Sequence, residues 1–180
     1  FRYATGTAVK RVTGPVTLPA GSTLDVGALD VRLTGGLLPG AGGLGTVNAS
    51  AAYPVTLTLG VPAGATNHVP SGVIGDSSDR PLTLLKSGPG LLKLTGQLGF
   101  NGGMSVGSGV VEIDSPEVLG GGDLSFGTGG KLELQAGGRL ERMVYVANQT
   151  YGNDRSTRVV ARSGSTVTFT RGIEIPRAYE

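Results

Sequence analysis

The chain has 180 residues, among them 33 Gly, 10 Pro, no Cys and no Trp, and its formal net charge is +2. The lack of Cys excludes disulfides and thiolate metal sites, and so small a charge excess lacks the clustered basic face that nucleic-acid binding requires. Gly is far above its usual share of ~7%, but 38% hydrophobic and only 16% charged residues favour a folded chain over a disordered one.

Short alternating segments run along most of the chain and predict β-strands. In each of them apolar residues flank a polar residue, which places the apolar side chains on one face of the strand. In chain order these segments are 24–26, 29–33, 55–59, 82–84, 92–94, 104–106, 111–113, 124–126, 132–134, 167–169 and 173–175. Helical periodicity is nearly absent, and only 115–119 has the composition for a single helical turn.

The spacing of these segments predicts that they stack. One set of apolar residues recurs at intervals of 20 residues, and a second set recurs at 19 and 21. The first set is Leu84, Met104, Leu124 and Val144, and the second is Leu92, Val111 and Leu132. A parallel β-solenoid with roughly 20 residues per coil produces such ladders. An antiparallel sandwich or barrel also uses short strands, but Gly-Gly and Gly-x-Gly turns are less typical of hairpins than Asn-Gly.

Segments 86–96, 100–106 and 109–113 together resemble the autotransporter-associated β-strand repeat. They contain its Lys-x-Gly-x-Gly start at Lys86, its Leu-x-Leu strand at 92–94 and its aromatic-x-Gly-Gly turn at Phe100. The resemblance covers 53–138, and its more specific residues are the turn glycines Gly88, Gly90, Gly102 and Gly103. It implies an all-β, right-handed parallel β-helix in a secreted passenger region, without catalytic residues or cofactors.

The sequence divides into solenoid repeats at 1–138 and an Arg-rich terminal β segment at 139–180. The second segment has seven Arg, no Lys and four acidic residues. Because Arg and Tyr are enriched at protein interfaces, we expect this segment to form a cap or an interface. The candidate interface residues are Arg139, Arg142, Tyr145, Tyr151, Arg155 and Arg158.

No catalytic or metal-binding motif is evident. His68 is the only His, and we expect it to be a polar residue of a loop over 63–71, because no nucleophile elbow accompanies it. Asp76 and Asp79 form the best acidic pair. They are expected either to bind calcium or, more simply, to accept backbone N–H bonds in an exposed turn. We therefore expect neither an enzyme nor a cofactor.

These features favour a structural module of an extracellular or cell-surface bacterial protein, as a segment of a longer or processed precursor. The end strands of a solenoid are unpaired edges, so we expect end-to-end assembly into a filament or surface layer, or contact with other surface-protein segments. The alternatives are a glycan-binding adhesin or polysaccharide-active β-helix, and a phage fibre segment. Nucleic-acid binding is not expected, and no apolar run approaches the ~18 residues that would insert this segment into a membrane.

Overall fold

The structure is a computed structural model that describes residues 10–26, 30–49, 54–76, 81–127, 129–146 and 157–174. Within these ranges the chain forms twenty short β-strands and one 3-10 helix, and every pairing between two of these strands is parallel. In chain order the elements are β1 (Lys10–Val12), β2 (Val16–Leu18), β3 (Thr23–Asp25), β4 (Val31–Leu33), β5 (Leu37–Pro39), β6 (Thr46–Ala49), β7 (Val55–Gly60), β8 (Thr66–Val69), β9 (Ile74–Asp76), β10 (Leu82–Ser87), β11 (Leu91–Leu94), β12 (Met104–Val106), β13 (Gly109–Ile113), η1 (Pro116–Leu119), β14 (Leu124–Phe126), β15 (Gly130–Leu134), β16 (Gly138–Leu140), β17 (Val144–Val146), β18 (Arg158–Ala161), β19 (Val167–Phe169) and β20 (Ile173–Glu174).

The strands stack on three faces of a β-solenoid, which confirms the predicted fold class. Face 1 is an unbroken eight-stranded sheet in the order β1-β4-β7-β10-β12-β14-β17-β20. Face 2 consists of the pair β2-β5 followed by the five-stranded sheet β8-β11-β13-β15-β18. Face 3 consists of β3-β6-β9, then η1, then the pair β16-β19. Each turn of the chain therefore visits the three faces in the same order.

Two side-chain or backbone contacts connect the separate sheets within faces 2 and 3. On face 2 the buried amide of Asn67 bonds to both the N–H and the C=O of Leu37, so a side chain replaces one step of the backbone ladder. On face 3 an isolated parallel bridge joins Gly75 to Gly99. The faces are thus continuous in space although their backbone ladders are interrupted.

The predicted period is correct over the middle of the chain and too short elsewhere. Leu84, Met104, Leu124 and Val144 pair in register, at the predicted interval of 20 residues. Leu57 pairs with Leu84, and Val144 pairs with Ile173, so these two turns contain 27 and 29 residues (84 − 57 and 173 − 144). The average is roughly 23 residues per turn. Insertions between strands lengthen a turn at little cost because the strands themselves keep their register.

Alternation along each strand fills the interior with apolar ladders. Leu84, Met104, Leu124 and Val144 are each at most 2% exposed, and Phe100 is fully buried. The helical turn predicted at 115–119 is η1, which buries Pro116, Val118 and Leu119. The faces also continue beyond residue 138, since β17, β18 and β19 pair with β14, β15 and β16. The role of 139–180 as a cap or an interface stays a prediction.

Candidate functional site

Lys86 lies inside the solenoid, at a position where its neighbours on face 1 are apolar. The register places it between Leu59 and Val106, which are both fully buried. The Lys86 side chain is itself 0% exposed. A buried ammonium requires hydrogen-bond acceptors close by, because it has lost its hydration.

Three backbone carbonyls supply those acceptors. The Lys86 Nζ donates to the oxygens of Ser87 at 3.1 Å, Gly88 at 2.6 Å and Ser108 at 3.1 Å. Desolvation by burial lowers the pKa of Lys86 from 10.5 to about 8, since the carbonyls are neutral dipoles and carry no opposing charge. The ammonium therefore joins the turn after β10 to the turn after β12, one coil further on.

The predicted turn glycines Gly88 and Gly90 lie in the first of these turns. Gly88 has a φ of +80°, and a Cβ on it would come 2.5 Å from the carbonyl oxygen of Val61. A Cβ on Gly90 would overlap the carbonyl oxygen of Pro62. Both positions exclude a side chain because the backbone of the preceding coil occupies that space.

Gly102 and Gly103, the other predicted pair, lie in the turn before β12 between two coils. A Cβ on Gly102 would lie 2.6 Å from the carbonyl oxygen of Leu82 in the preceding coil. Gly103 has a φ of +86°, and a Cβ there would overlap the carbonyl oxygen of Asp123 in the following coil. This turn is therefore confined from both sides.

Asp76 makes the bonds that the turn interpretation of the acidic pair predicts. Its Oδ2 accepts the N–H groups of Leu82 at 3.0 Å and Asn101 at 2.8 Å, and its Oδ1 accepts the Asn101 Nδ2 at 2.7 Å. Asp79 lies outside the described residues. The described ranges contain no group of three or more His, Cys, Asp or Glu positioned to hold a metal ion.

Other carboxylates bond to backbone N–H groups of an adjacent coil in the same manner. Asp30 Oδ1 accepts the N–H of Thr56 at 2.7 Å, and Asp123 Oδ1 accepts that of Met143 at 3.3 Å. Ionised carboxylates are strong acceptors, so these contacts fasten corners where the strand ladder is absent. The charged residues described so far are thus engaged in holding coils together.

Of the predicted interface residues, the structure brings Arg139 and Arg142 to one groove and places two others elsewhere. Tyr145 lies on the outside of face 1, in register with Ser125 and Glu174. Arg158 lies on β18 of face 2 and is exposed. Tyr151 and Arg155 lie outside the described residues. The interface itself stays a prediction.

Arg142 bonds to the loop that follows η1. Its guanidinium donates to the carbonyl oxygens of Leu119 at 2.8 Å and Gly122 at 2.9 Å, and also to that of Gly120. Desolvation lowers the pKa of Arg142 from its usual value, and the nearby charge of Asp123 opposes that shift. The last carbonyls of a helix lack intrahelical partners, so this contact stabilises the end of η1. The sequence did not indicate this role.

An open groove of about 430 Å³ lies between η1 and β16. Its lining residues are Pro116, Glu117, Gly138, Arg139, Glu141 and Arg142. Arg139 Nε lies 3.6 Å from Glu141 Oε1, and the two side chains are 69% and 71% exposed. A hydrogen bond from the Ser115 side chain lowers the pKa of Glu117, which therefore stays ionised at neutral pH. We regard this groove as the candidate functional site.

His68 lies on a strand, so the prediction that it belongs to a loop is wrong for Thr66–Val69, which form β8. Its side chain is on the outer surface of face 2, where Nε2 is 2.8 Å from Thr95 Oγ1. The next outward residue, Lys93, forms an ion pair of 2.8 Å with Glu112. The alternation of exposed and buried residues in β8 explains the error, because polar outward residues made a strand resemble a loop.

No protein family, curated protein or solved structure matches this chain. Within the described ranges, no helix has the length and apolar character needed to cross a membrane.

Lys86 is expected to make stability depend on pH. Its pKa is about 8 in the folded chain and near 10.5 when unfolded, so the unfolded state binds more protons between these values. The wild type should therefore gain about 1–3 kcal/mol relative to Lys86→Met as pH rises from 8 to 10.5. Urea unfolding of both proteins at pH 7.5, 9 and 10.5 measures this difference, and parallel stability curves would show that Lys86 is not desolvated.

Gly103→Ala is expected to destabilise the fold by roughly 3 kcal/mol or more, because the variant adds left-handed strain and overlap with the next coil. Gly64→Ala is the matched control, since Gly64 has a φ of +73° but open space around its Cβ position. That variant should lose only about 1 kcal/mol. Thermal unfolding monitored by circular dichroism compares them, and equal losses would contradict the close contact between coils.

Proposed function

We propose that this chain is a structural β-solenoid module of an extracellular or cell-surface bacterial protein, as its resemblance to autotransporter-associated repeats implies. The observation that carries the proposal is the stacking of the described strands into three parallel faces, with polar groups at the corners engaged in joining coils. Lys86, Asp76 and Arg142 illustrate this engagement. Such a scaffold needs no catalytic group.

We further propose that copies of the module associate end to end through face 1. Among the described strands, β1 and β20 are the outermost members of this face, and each pairs with one neighbour. Val12 on β1 is 40% exposed, and Ile173 on β20 is 49% exposed. Edge strands with exposed apolar residues favour pairing with another chain.

The charges of the two edge strands are complementary. Register along face 1 carries one outward position from β1 to β20. The residues at this position are Arg11, Arg32, Thr58, Leu85, Ser105, Ser125, Tyr145 and Glu174. If β20 of one copy pairs with β1 of the next in this register, Glu174 meets Arg11. Opposite charges directly across paired strands favour the association.

Charge exchange tests this contact. Wild-type chain should form elongated oligomers as its concentration rises, and Arg11→Glu should shift assembly to higher concentration by placing two acids together. The double variant Arg11→Glu with Glu174→Arg should restore assembly, because it recreates the opposite pair. Sedimentation velocity and electron microscopy report the outcome, and a strictly monomeric wild type at high concentration would refute the assembly.

The location is tested separately. Antibodies against the purified chain should label intact cells of the source bacterium without permeabilisation, since a surface module is accessible from outside. A cytoplasmic protein of the same cells serves as the control for leakage. Labelling that requires permeabilisation would overturn the surface assignment and leave the solenoid scaffold itself untouched.

A further inference from the structure

We propose that the groove between η1 and β16 binds an extended polypeptide segment, which adds as a strand beside the backbone of Arg139. The inference concerns a side of the solenoid that end-to-end assembly does not use. It rests on three observations: an unpaired strand edge, the open space next to it, and the charges on its two walls.

The strand edge arises where η1 interrupts face 3. Of the described strands, β19 alone pairs with β16. The N–H of Gly138 donates to the oxygen of Thr166 at 3.0 Å, and the oxygen of Leu140 accepts from the N–H of Thr170 at 3.1 Å. Successive residues of a strand direct their backbone groups to opposite sides, so the N–H and C=O of Arg139 face η1.

The space beside this edge is the groove of about 430 Å³. At one point its walls are in contact, because a Cβ on Gly138 would lie 2.8 Å from Cγ of Pro116. Elsewhere η1 leaves the position that a paired strand would occupy on the other faces. An added strand lies ~4.8 Å from its neighbour and satisfies backbone groups such as those of Arg139.

The charges on the walls define which segment fits. Arg139 and Glu141 are exposed and loosely paired, at 3.6 Å, and Glu117 lies on the opposite wall. The guanidinium of Arg142 is already bonded to backbone carbonyls. A complementary segment therefore carries an acidic residue beside Arg139 and a basic residue two positions away, beside Glu141.

A peptide fits this groove better than a glycan does. Among the residues that line the groove there is no aromatic side chain, and such side chains usually supply the contact area for sugar rings. The backbone N–H and C=O of one strand residue are the complement of a peptide backbone. Polysaccharide binding is accordingly the competing outcome of the test.

The test uses NMR titration of the full isotope-labelled chain. The probes are two acetylated and amidated peptides, Val-Asp-Thr-Lys-Val and Val-Lys-Thr-Asp-Val, whose two orders serve parallel and antiparallel addition. An uncharged peptide, Val-Ser-Thr-Ser-Val, and the neutral glycan maltohexaose are the comparison probes. We expect one charged peptide to shift the amide of Arg139 and its neighbours at millimolar concentration, and the uncharged peptide to bind more weakly.

Two further measurements separate backbone pairing from simple charge attraction. Arg139→Ala keeps the backbone and should raise the dissociation constant roughly two- to five-fold, as expected for an exposed ion pair. Arg171→Ala, at an exposed arginine outside the groove, should leave it unchanged. The same charged peptide with all its backbone amides N-methylated should lose binding. Binding that survives N-methylation, shifts confined to other faces, or a response to maltohexaose alone would overturn the proposal.

Discussion

The structure depends on the distance at which one coil of backbone lies upon the next. Parallel pairing fixes that distance at ~4.8 Å along each strand, and the corners must follow the strands they connect. At a corner the two backbones therefore approach as closely as they do in the sheets. The glycine at residue 90, where a Cβ would overlap the Pro62 oxygen, shows how this spacing determines residue choice.

The same constraint leaves backbone groups at the corners without strand partners, and polar side chains satisfy them. Carboxylates of Asp30 and Asp76 accept N–H groups, whereas Lys86 and Arg142 donate to carbonyls. Asn67, with both a donor and an acceptor, replaces a backbone unit between β5 and β8. Charge in this chain thus serves cohesion between coils, which is why a low fraction of charged residues is compatible with so much irregular backbone.

Much of the fold follows from the sequence, because strand alternation and the interval between ladders are local and repeated. The ladder from Leu84 to Val144 could be read directly, since the turns between those strands have constant length. The longer turns outside it could not, because loop length carries no signal of its own until register is known. His68 was misplaced because its strand shows polar residues outward.

The candidate site was only partly predictable. Arg139 and Arg142 were selected by composition, but their opposite behaviour depends on which way each side chain leaves its position near β16. The groove itself arises from η1, and a sequence that predicts a helical turn does not reveal the gap that the turn leaves in face 3. Likewise, Lys86 was recognised as part of a motif, whereas its interior position emerged from the register with Leu59 and Val106.

The unequal continuity of the three faces has a mechanical consequence. Face 1 is an uninterrupted ladder of eight strands, while face 3 contains the break between η1 and β16. A pulling force along the axis is therefore carried mainly by one side of the rod, and the opposite side extends first. Under tension the solenoid bends about face 1 as a spine, and the seam at η1 is where it opens.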